Sequence, residues 1–178
     1  IDFPLTLLTD LKNKRNFSYG FPRKKFGYIG WLGKKNIGDE FLFQAISRLL
    51  YPLPVLQYKL TDQIKSYEKF IRKKIYAGVL LGGGTLINGD VYLSQVQEAL
   101  EHYKDVFVLG SGVRDPGFWG VEYEEQGIQK EWVDVLKKCK YISVRGPESK
   151  RLLEKAEIYN VQVVGDPALF FADKEMNN

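Results

Sequence analysis

One cysteine, one histidine and one methionine are all that the 178-residue sequence holds of those types. Cys139 alone closes no intramolecular disulfide and builds no cysteine-based metal cluster, which points to a reducing compartment. His102 lies in a helix-period stretch, EALEHYKD, without metal-ligand spacing around it, and reads as a surface residue. No metal site is expected. Apolar runs fall short of the ~18 residues that a membrane-spanning helix needs, and no stretch has the pattern of a signal-peptide h-region. The expected setting is cytoplasmic. Also missing are a G-x-G-x-x-G after the first strand and a Walker A sequence, so classical NAD and ATP binding lose ground. Neither zinc-finger spacing nor an RNP1-type aromatic pattern occurs, and no nucleic-acid partner is expected.

What is present reads as one ordinary globular domain, with 14% aromatic and 27% charged residues. A chain of this size buries roughly 70% of the surface its unfolded form exposes. The net charge of +4 is uneven: residues 1–35 hold eight Lys/Arg against Asp2 and Asp10, and the rest of the chain is slightly acidic. Residues 1–25 therefore form a basic arm, either solvated or in touch with an anionic polymer or lipid. The polar end, ADKEMNN, follows an apolar strand-like run, so the chain is expected to be a piece of a longer one.

After the arm, short runs of β-branched and aromatic residues alternate with helix-period segments, the pattern of a parallel sheet with helices on both faces. Strands are expected at about 26–32, 54–59, 77–82, 105–110, 140–145 and 161–164. These make a Rossmann-like α/β sheet of about six strands. The helices between them carry apolar stripes: Phe41, Leu42, Ala45, Ile46, Leu49 and Leu50; then Ile64, Tyr67, Phe70, Ile71 and Ile75. Further stripes run through Val96, Ala99, Leu100 and Tyr103, and through Ile128, Trp132, Val135, Leu136 and Cys139. All of these are read as core.

Five strands run into glycine-containing turns: GWLGKKNIGDE, LLGGGTLING, VLGSGVRDPG, SVRGPE and VVGDPA. Ligands of open α/β sheets bind outside the carboxyl ends of the strands, where these turns would lie together. In the first, Gly33 and Gly38 permit a sharp bend and Asn36 offers a donor and an acceptor. Asp39 stands where a helix N-cap belongs, with Glu40 in the first turn; it is read either as a cap or as a hydrogen-bond partner and base for a ligand hydroxyl. Two carboxylates there argue against a phosphate and for a sugar. Gly82, Gly83 and Gly84, followed by Thr85, are expected to leave backbone N–H groups free as a concave anion site. Gly110 opens the third turn. Arg114 and Arg145 follow strand ends and suit a carboxylate or phosphate, or pair structurally with Asp115, Glu148 or Asp166. The aromatic and acidic loop 113–126 is long enough to be functional.

Taken in order, GWLGKKNIGDEFLFQAI, VLLGGGTLI, VLGSGV, ISVRGPESKRLLEKA and VQVVGDPALFF resemble the successive blocks of polysaccharide pyruvyl transferases, over about residues 26–171. The resemblance implies an enzyme related to GT-B glycosyltransferases, with two Rossmann-like domains facing across a cleft. Residues 26–171 would be the N-terminal domain, 1–25 an arm outside the pattern, and 172–178 a tail or the start of an interdomain linker. The implied reaction moves the enolpyruvyl carbons of phosphoenolpyruvate onto two hydroxyls of a saccharide or lipid-linked oligosaccharide as a cyclic ketal, in exopolysaccharide and cell-envelope synthesis. Phosphoenolpyruvate is a donor substrate, and no cofactor is implied. Basic residues of the second domain would hold the donor, leaving the isolated chain inactive. Asp39 becomes the candidate base or hydroxyl orienter. Gly33, Asn36, Gly38, Glu40, Gly82, Gly83, Gly84, Thr85, Gly110, Arg114, Arg145 and Asp166 form the candidate substrate-binding set. Such an enzyme would work in the cytoplasm, or peripherally at the inner face of the membrane. A GT-B glycosyltransferase and a non-catalytic saccharide-binding domain stay open beside it.

Overall fold

Consecutive apolar residues in Tyr28-Ile29, Val79-Leu80-Leu81 and Val106–Val108 send their side chains to opposite faces of a sheet in turn, so each face needs its own cover. A computed structural model describes residues 25–114 and 128–171 of the protein. In chain order the elements are β1 (Lys25–Ile29), α1 (Ile37–Leu49), β2 (Val55–Gln57), α2 (Asp62–Ile71), β3 (Tyr76–Leu81), β4 (Gly84–Ile87), α3 (Asp90–His102), β5 (Val106–Val113), α4 (Lys130–Leu136), β6 (Tyr141–Val144), α5 (Pro147–Lys155), β7 (Val161–Val163) and a 3-10 helix (Pro167–Phe171). The strands form one seven-stranded sheet in the order β2-β1-β3-β5-β6-β7, with β4 beside β5, and every pairing is parallel. This is a Rossmann-like α/β arrangement.

Two cores result. On one face Ile29, Val79, Leu81, Val106, Val108, Ile142 and Val144 pack under α3, α4 and α5, which contribute Val96, Ala99, Trp132, Leu136 and Leu153. On the other, Tyr28, Val55 and Leu80 pack with Leu32 and with Ile46 of α1. Each fully buried Leu or Ile contributes about 1.5–3 kcal/mol by leaving water, which outweighs the strands' individual propensities. Thr61 caps α2, its hydroxyl accepting from the Ile64 amide at 3.2 Å, and Pro147 opens α5 in the position that its fixed φ suits.

Five expectations need correction. β4 was not anticipated, because Gly82-Gly83-Gly84 reads as a turn. The chain instead breaks at Gly82-Gly83 and rejoins the sheet, with Gly84 beside Ser111 and Ile87 beside Val113. β5 accordingly runs past 110 to Val113, bulging where Gly110 takes φ +61°. β1 ends at Ile29 rather than 32. The strand-like PALFF run is the 3-10 helix; it packs on α1, with the Phe171 ring edge-on to Phe41 at 5.5 Å and the Arg48 guanidinium over Phe171. Finally, Phe41, Leu49, Tyr67 and Phe70 are not core: Phe70 is 84% exposed. The helical period places them on α1 and α2, but those helices bury a narrower stripe than their apolar residues fill.

Candidate functional site

From β1 the chain passes to β2 on one side, and β3 returns on the other side of β1. The carboxyl ends of β1 and β3 therefore flank the topological switch point, where open α/β sheets leave a crevice. The turns expected to carry the site, 30–40 and 82–85, both start there.

The first turn is tied locally. Gly33 takes φ +72° and donates its N–H to Glu40 Oε1 at 2.7 Å, folding the loop back onto α1. Asn36, not Asp39, is the N-cap: its Oδ1 accepts from the Gly38 amide at 3.0 Å. A cap must precede the first helical residue, and α1 begins one turn earlier than the acidic pair suggests. Asp39 is thereby released from capping. Its carboxyl is held above the ordinary range, first by burial and then by the neighbouring Glu40 charge, against a hydrogen bond from the Asn36 side chain and the charge of Arg145.

The three glycines receive side chains from the first turn's neighbourhood. A β-carbon on Gly82 would lie 2.1 Å from the Tyr28 ring, one on Gly83 2.7 Å from Leu42, and one on Gly84 3.1 Å from Asp39 Oδ1. Their amides are not a free nest. Gly82 N–H donates to the Ile29 carbonyl at 2.9 Å, and Gly83 N–H donates to the Tyr28 hydroxyl. Backbone pairing with β1 takes one donor of the triplet and the buried tyrosine takes another. Burial, and then the Asp39 charge, push the phenols of Tyr28 and Tyr92 up.

Thr85, exposed on β4, accepts a hydrogen bond from Arg145 Nη2. The Arg145 side chain leaves the end of β6 across Gly112, where a β-carbon would stand 2.8 Å from its Nε, and its Nη1 lies 3.7 Å from Asp166 Oδ2. Asp166 also accepts from the Ala168 amide through Oδ1 at 2.9 Å, starting the 3-10 helix. One run of contacts thus joins Asn36, Asp39, Gly84, Thr85, Arg145 and Asp166 along the carboxyl edge. Gly38 lies in the first turn of α1 beside it. Gly110 serves packing: its N–H donates to Ser143 Oγ, and a β-carbon would meet Pro167 at 2.5 Å. Arg114 ends exposed beyond β5, its backbone N–H donating to Ile87. Glu148, one proposed partner for the arginines, pairs with Arg151 instead. Residues 115–127, most of the aromatic loop, lie outside the described residues, as does the arm up to residue 24.

Sequence reasoning missed Tyr28, Tyr92 and Trp31. Trp31 stands 40% exposed at the turn after β1, with the Lys34 ammonium 5.6 Å from its ring centre. Its signal was an aromatic between two glycines in a predicted ligand-facing turn. Tyr28 had none, since the glycines it meets at the site, Gly82 and Gly83, lie over fifty residues away.

The fold defines a Rossmann-like α/β protein with a carboxylate and a guanidinium at the carboxyl edge of its sheet. A model of the polysaccharide pyruvyl transferase family matches residues 3–177, and the chain belongs to that family. The match takes in the basic arm, which the motif blocks did not reach. A crystal structure of a functionally uncharacterised Klebsiella pneumoniae protein superposes with a TM-score of 0.52 at 15% identity, a likeness of fold alone. The alignment covers 98% of this chain and 60% of that one, so the chain spans less than two thirds of that protein's length. No curated protein matches the chain. No helix among the described residues is long and apolar enough to cross a membrane.

Proposed function

We propose that this chain forms the acceptor-facing domain of a pyruvyl transferase that joins phosphoenolpyruvate to a saccharide as a ketal. The observation carrying this reading is Asp39 at the switch point, freed from capping and held above the ordinary carboxylate range. A carboxyl of raised pKa accepts a proton from a hydroxyl better than an ordinary one does.

In the reaction, one acceptor hydroxyl adds to C2 of the enolpyruvyl group while the methylene carbon gains a proton and becomes a methyl. The C2–O bond to phosphate then breaks, leaving an oxocarbenium-like centre that the second hydroxyl attacks as it loses its proton. Net, one hydroxyl proton ends on the methyl and the other leaves with phosphate. Asp39 orients or deprotonates an attacking hydroxyl, Trp31 offers a ring face to the sugar, and Arg145, steadied by Thr85 and Asp166, faces the donor's negative charge. The donor's remaining contacts come from a second domain, in a GT-B-like pairing. No cofactor takes part beyond the donor substrate, and the enzyme works in the cytoplasm.

The test is an NMR chemical-shift titration of the 178-residue chain with an oligosaccharide panel and, separately, with phosphoenolpyruvate. Saccharide shifts at Gly33–Asp39 and Gly82–Thr85, with little response to phosphoenolpyruvate, are expected. Tight phosphoenolpyruvate binding, or no saccharide response at that edge, overturns the division of the site. Release of phosphate from phosphoenolpyruvate by the complete enzyme separates ketal formation from sugar transfer.

A further inference from the structure

At the opposite edge of the sheet, α2 ends in a second chemically distinct surface. From 62 to 74 the chain carries Lys65, Lys69, Arg72, Lys73 and Lys74 against only Asp62 and Glu68. Glu68 is 4% exposed and fully engaged: its Oε1 accepts from the Ile75 amide at 2.7 Å and the Tyr103 hydroxyl at 2.8 Å, and its Oε2 meets His102 at 2.6 Å and Lys74 at 3.4 Å. Lys65 is shared with Glu98 at 3.6 Å. Among the described residues Lys69, Arg72 and Lys73 form no ion pair. The five cations converge on a cavity of about 400 Å³ with Glu68 at its floor. Beside it, on the outer side of the same helix, the Phe70 ring is 84% exposed and Tyr67 40% exposed.

A helix C-terminus attracts cations, and that accounts for one or two of them. It does not account for five around one cavity, nor for a phenylalanine held in water next to them. An anionic lipid surface satisfies both: phosphate headgroups meet the cations, and the ring enters the boundary between headgroups and acyl chains. A single-stranded nucleic acid is a poorer occupant. Such a strand needs a groove that tracks its backbone with the aromatic inside, whereas here the cations gather at one cavity and the exposed Phe70 ring is not part of its lining. The basic arm and a second copy of this surface are both repelled by like charge.

We infer that the C-terminal end of α2 docks on an anionic phospholipid bilayer, seating headgroup phosphate between Lys69, Arg72 and Lys73 and inserting Phe70. The six residues of β3 separate this surface from the carboxyl-edge site, a span of about 20 Å at ~3.3 Å per residue, so the two surfaces do not compete. The inference stands apart from the proposed reaction.

The experiment is co-sedimentation of the 178-residue chain with vesicles of phosphatidylcholine alone and of equal parts phosphatidylcholine and phosphatidylglycerol. Binding is expected only to the second, weakening with salt. The triple variant Lys69→Glu, Arg72→Glu, Lys73→Glu is expected to bind roughly a hundredfold or more weaker, since each lost cation costs about fivefold. Phe70→Ala is expected to bind about tenfold weaker with its salt dependence unchanged, because one buried ring is removed and no charge. Both changes are on exposed side chains, and a thermal melt matching the parent's verifies that the fold is kept. Equal binding to both vesicles, or full binding by the triple variant, which would move the contact to residues 1–24, overturns the inference. So does an oligonucleotide or inorganic pyrophosphate that binds through these residues while vesicles do not.

Discussion

The Asp39 carboxylate and the Gly84 backbone touch across the switch point: a β-carbon at residue 84 would stand 3.1 Å from Asp39 Oδ1. Two segments far apart in sequence meet there, and the contact depends on the absence of one side chain. Gly84 also takes φ +94°, a conformation that L side chains rarely adopt. Gly84→Ala is therefore expected to cost about 1–3 kcal/mol in stability through backbone strain. It should also displace the carboxylate and weaken saccharide binding. Urea unfolding and the saccharide titration read the two effects separately. Unchanged saccharide affinity at reduced stability would detach Asp39 from the acceptor.

Arg145 is held from two directions, by the Thr85 hydroxyl and by Asp166 at 3.7 Å. A lysine keeps the charge but cannot present a planar fork to both. Arg145→Lys is expected to lower turnover of the complete enzyme by one to two orders of magnitude and to raise KM for phosphoenolpyruvate more than for the saccharide. Because the side chain is partly exposed, the melting temperature should hardly move. Steady-state kinetics with each substrate varied in turn gives the answer, and an effect confined to the saccharide KM would assign the arginine to the acceptor instead.

Much of this architecture is legible in the sequence because it rests on local periodicity. The apolar run Val79-Leu80-Leu81 and the helical spacing of Trp132, Val135 and Leu136 require no knowledge of partners. The clustering of turns at one edge followed from the alternation of strands with helices, which implies a parallel sheet. What stayed hidden depends on tertiary fit. Gly82-Gly83-Gly84 looks like turn punctuation, yet it is the socket for Tyr28, Leu42 and Asp39. Asn36 at the cap was readable, since an Asx residue directly precedes the helical pattern, but the acidic pair drew attention past it. Phe70 obeys its stripe and is still in solvent, because periodicity says which residues share a face and not how wide a face the sheet covers.

Asp39 gives a pH signature with a definite sign. Burial, then Glu40, raise its folded pKa above the ordinary 3.8. A raised carboxyl binds protons more tightly in the folded state than in the unfolded one. Its contribution to stability is present below the unfolded value and is lost as pH rises through the folded value. Asp39→Asn removes this liability, so the variant is expected to be at least as stable as the parent at neutral pH, while turnover of the complete enzyme falls by roughly two or more orders of magnitude. If Asp39 is the base, the acidic limb of the parent's kcat/KM profile should lie above the ordinary carboxylate range. Chemical denaturation from acid to neutral pH, beside kinetics over the same range, checks both halves.

Glu68 behaves in the opposite sense, because hydrogen bonds and a cation outweigh its burial. Burial alone would raise its pKa. The Ile75 amide, the Tyr103 hydroxyl, the His102 ring and the Lys74 ammonium together reverse that and hold it below the ordinary 4.5. Its contribution is therefore present above 4.5 and lost as pH falls through the lower folded value. Glu68→Ala would strand the Tyr103 hydroxyl and the Ile75 amide and leave Lys74 and His102 facing each other, at a cost of about 2–4 kcal/mol. Glu68→Gln keeps an acceptor for the amide and the phenol but not the charge, so its loss should be smaller and its stability flat across the acid limb. Equilibrium urea unfolding of the parent and both variants at several pH values tests this. A parent curve with no acid-side fall in stability beyond that of Glu68→Gln would mean that the carboxyl is not charged in the folded protein. The four-partner arrangement would then be held by neutral hydrogen bonds alone.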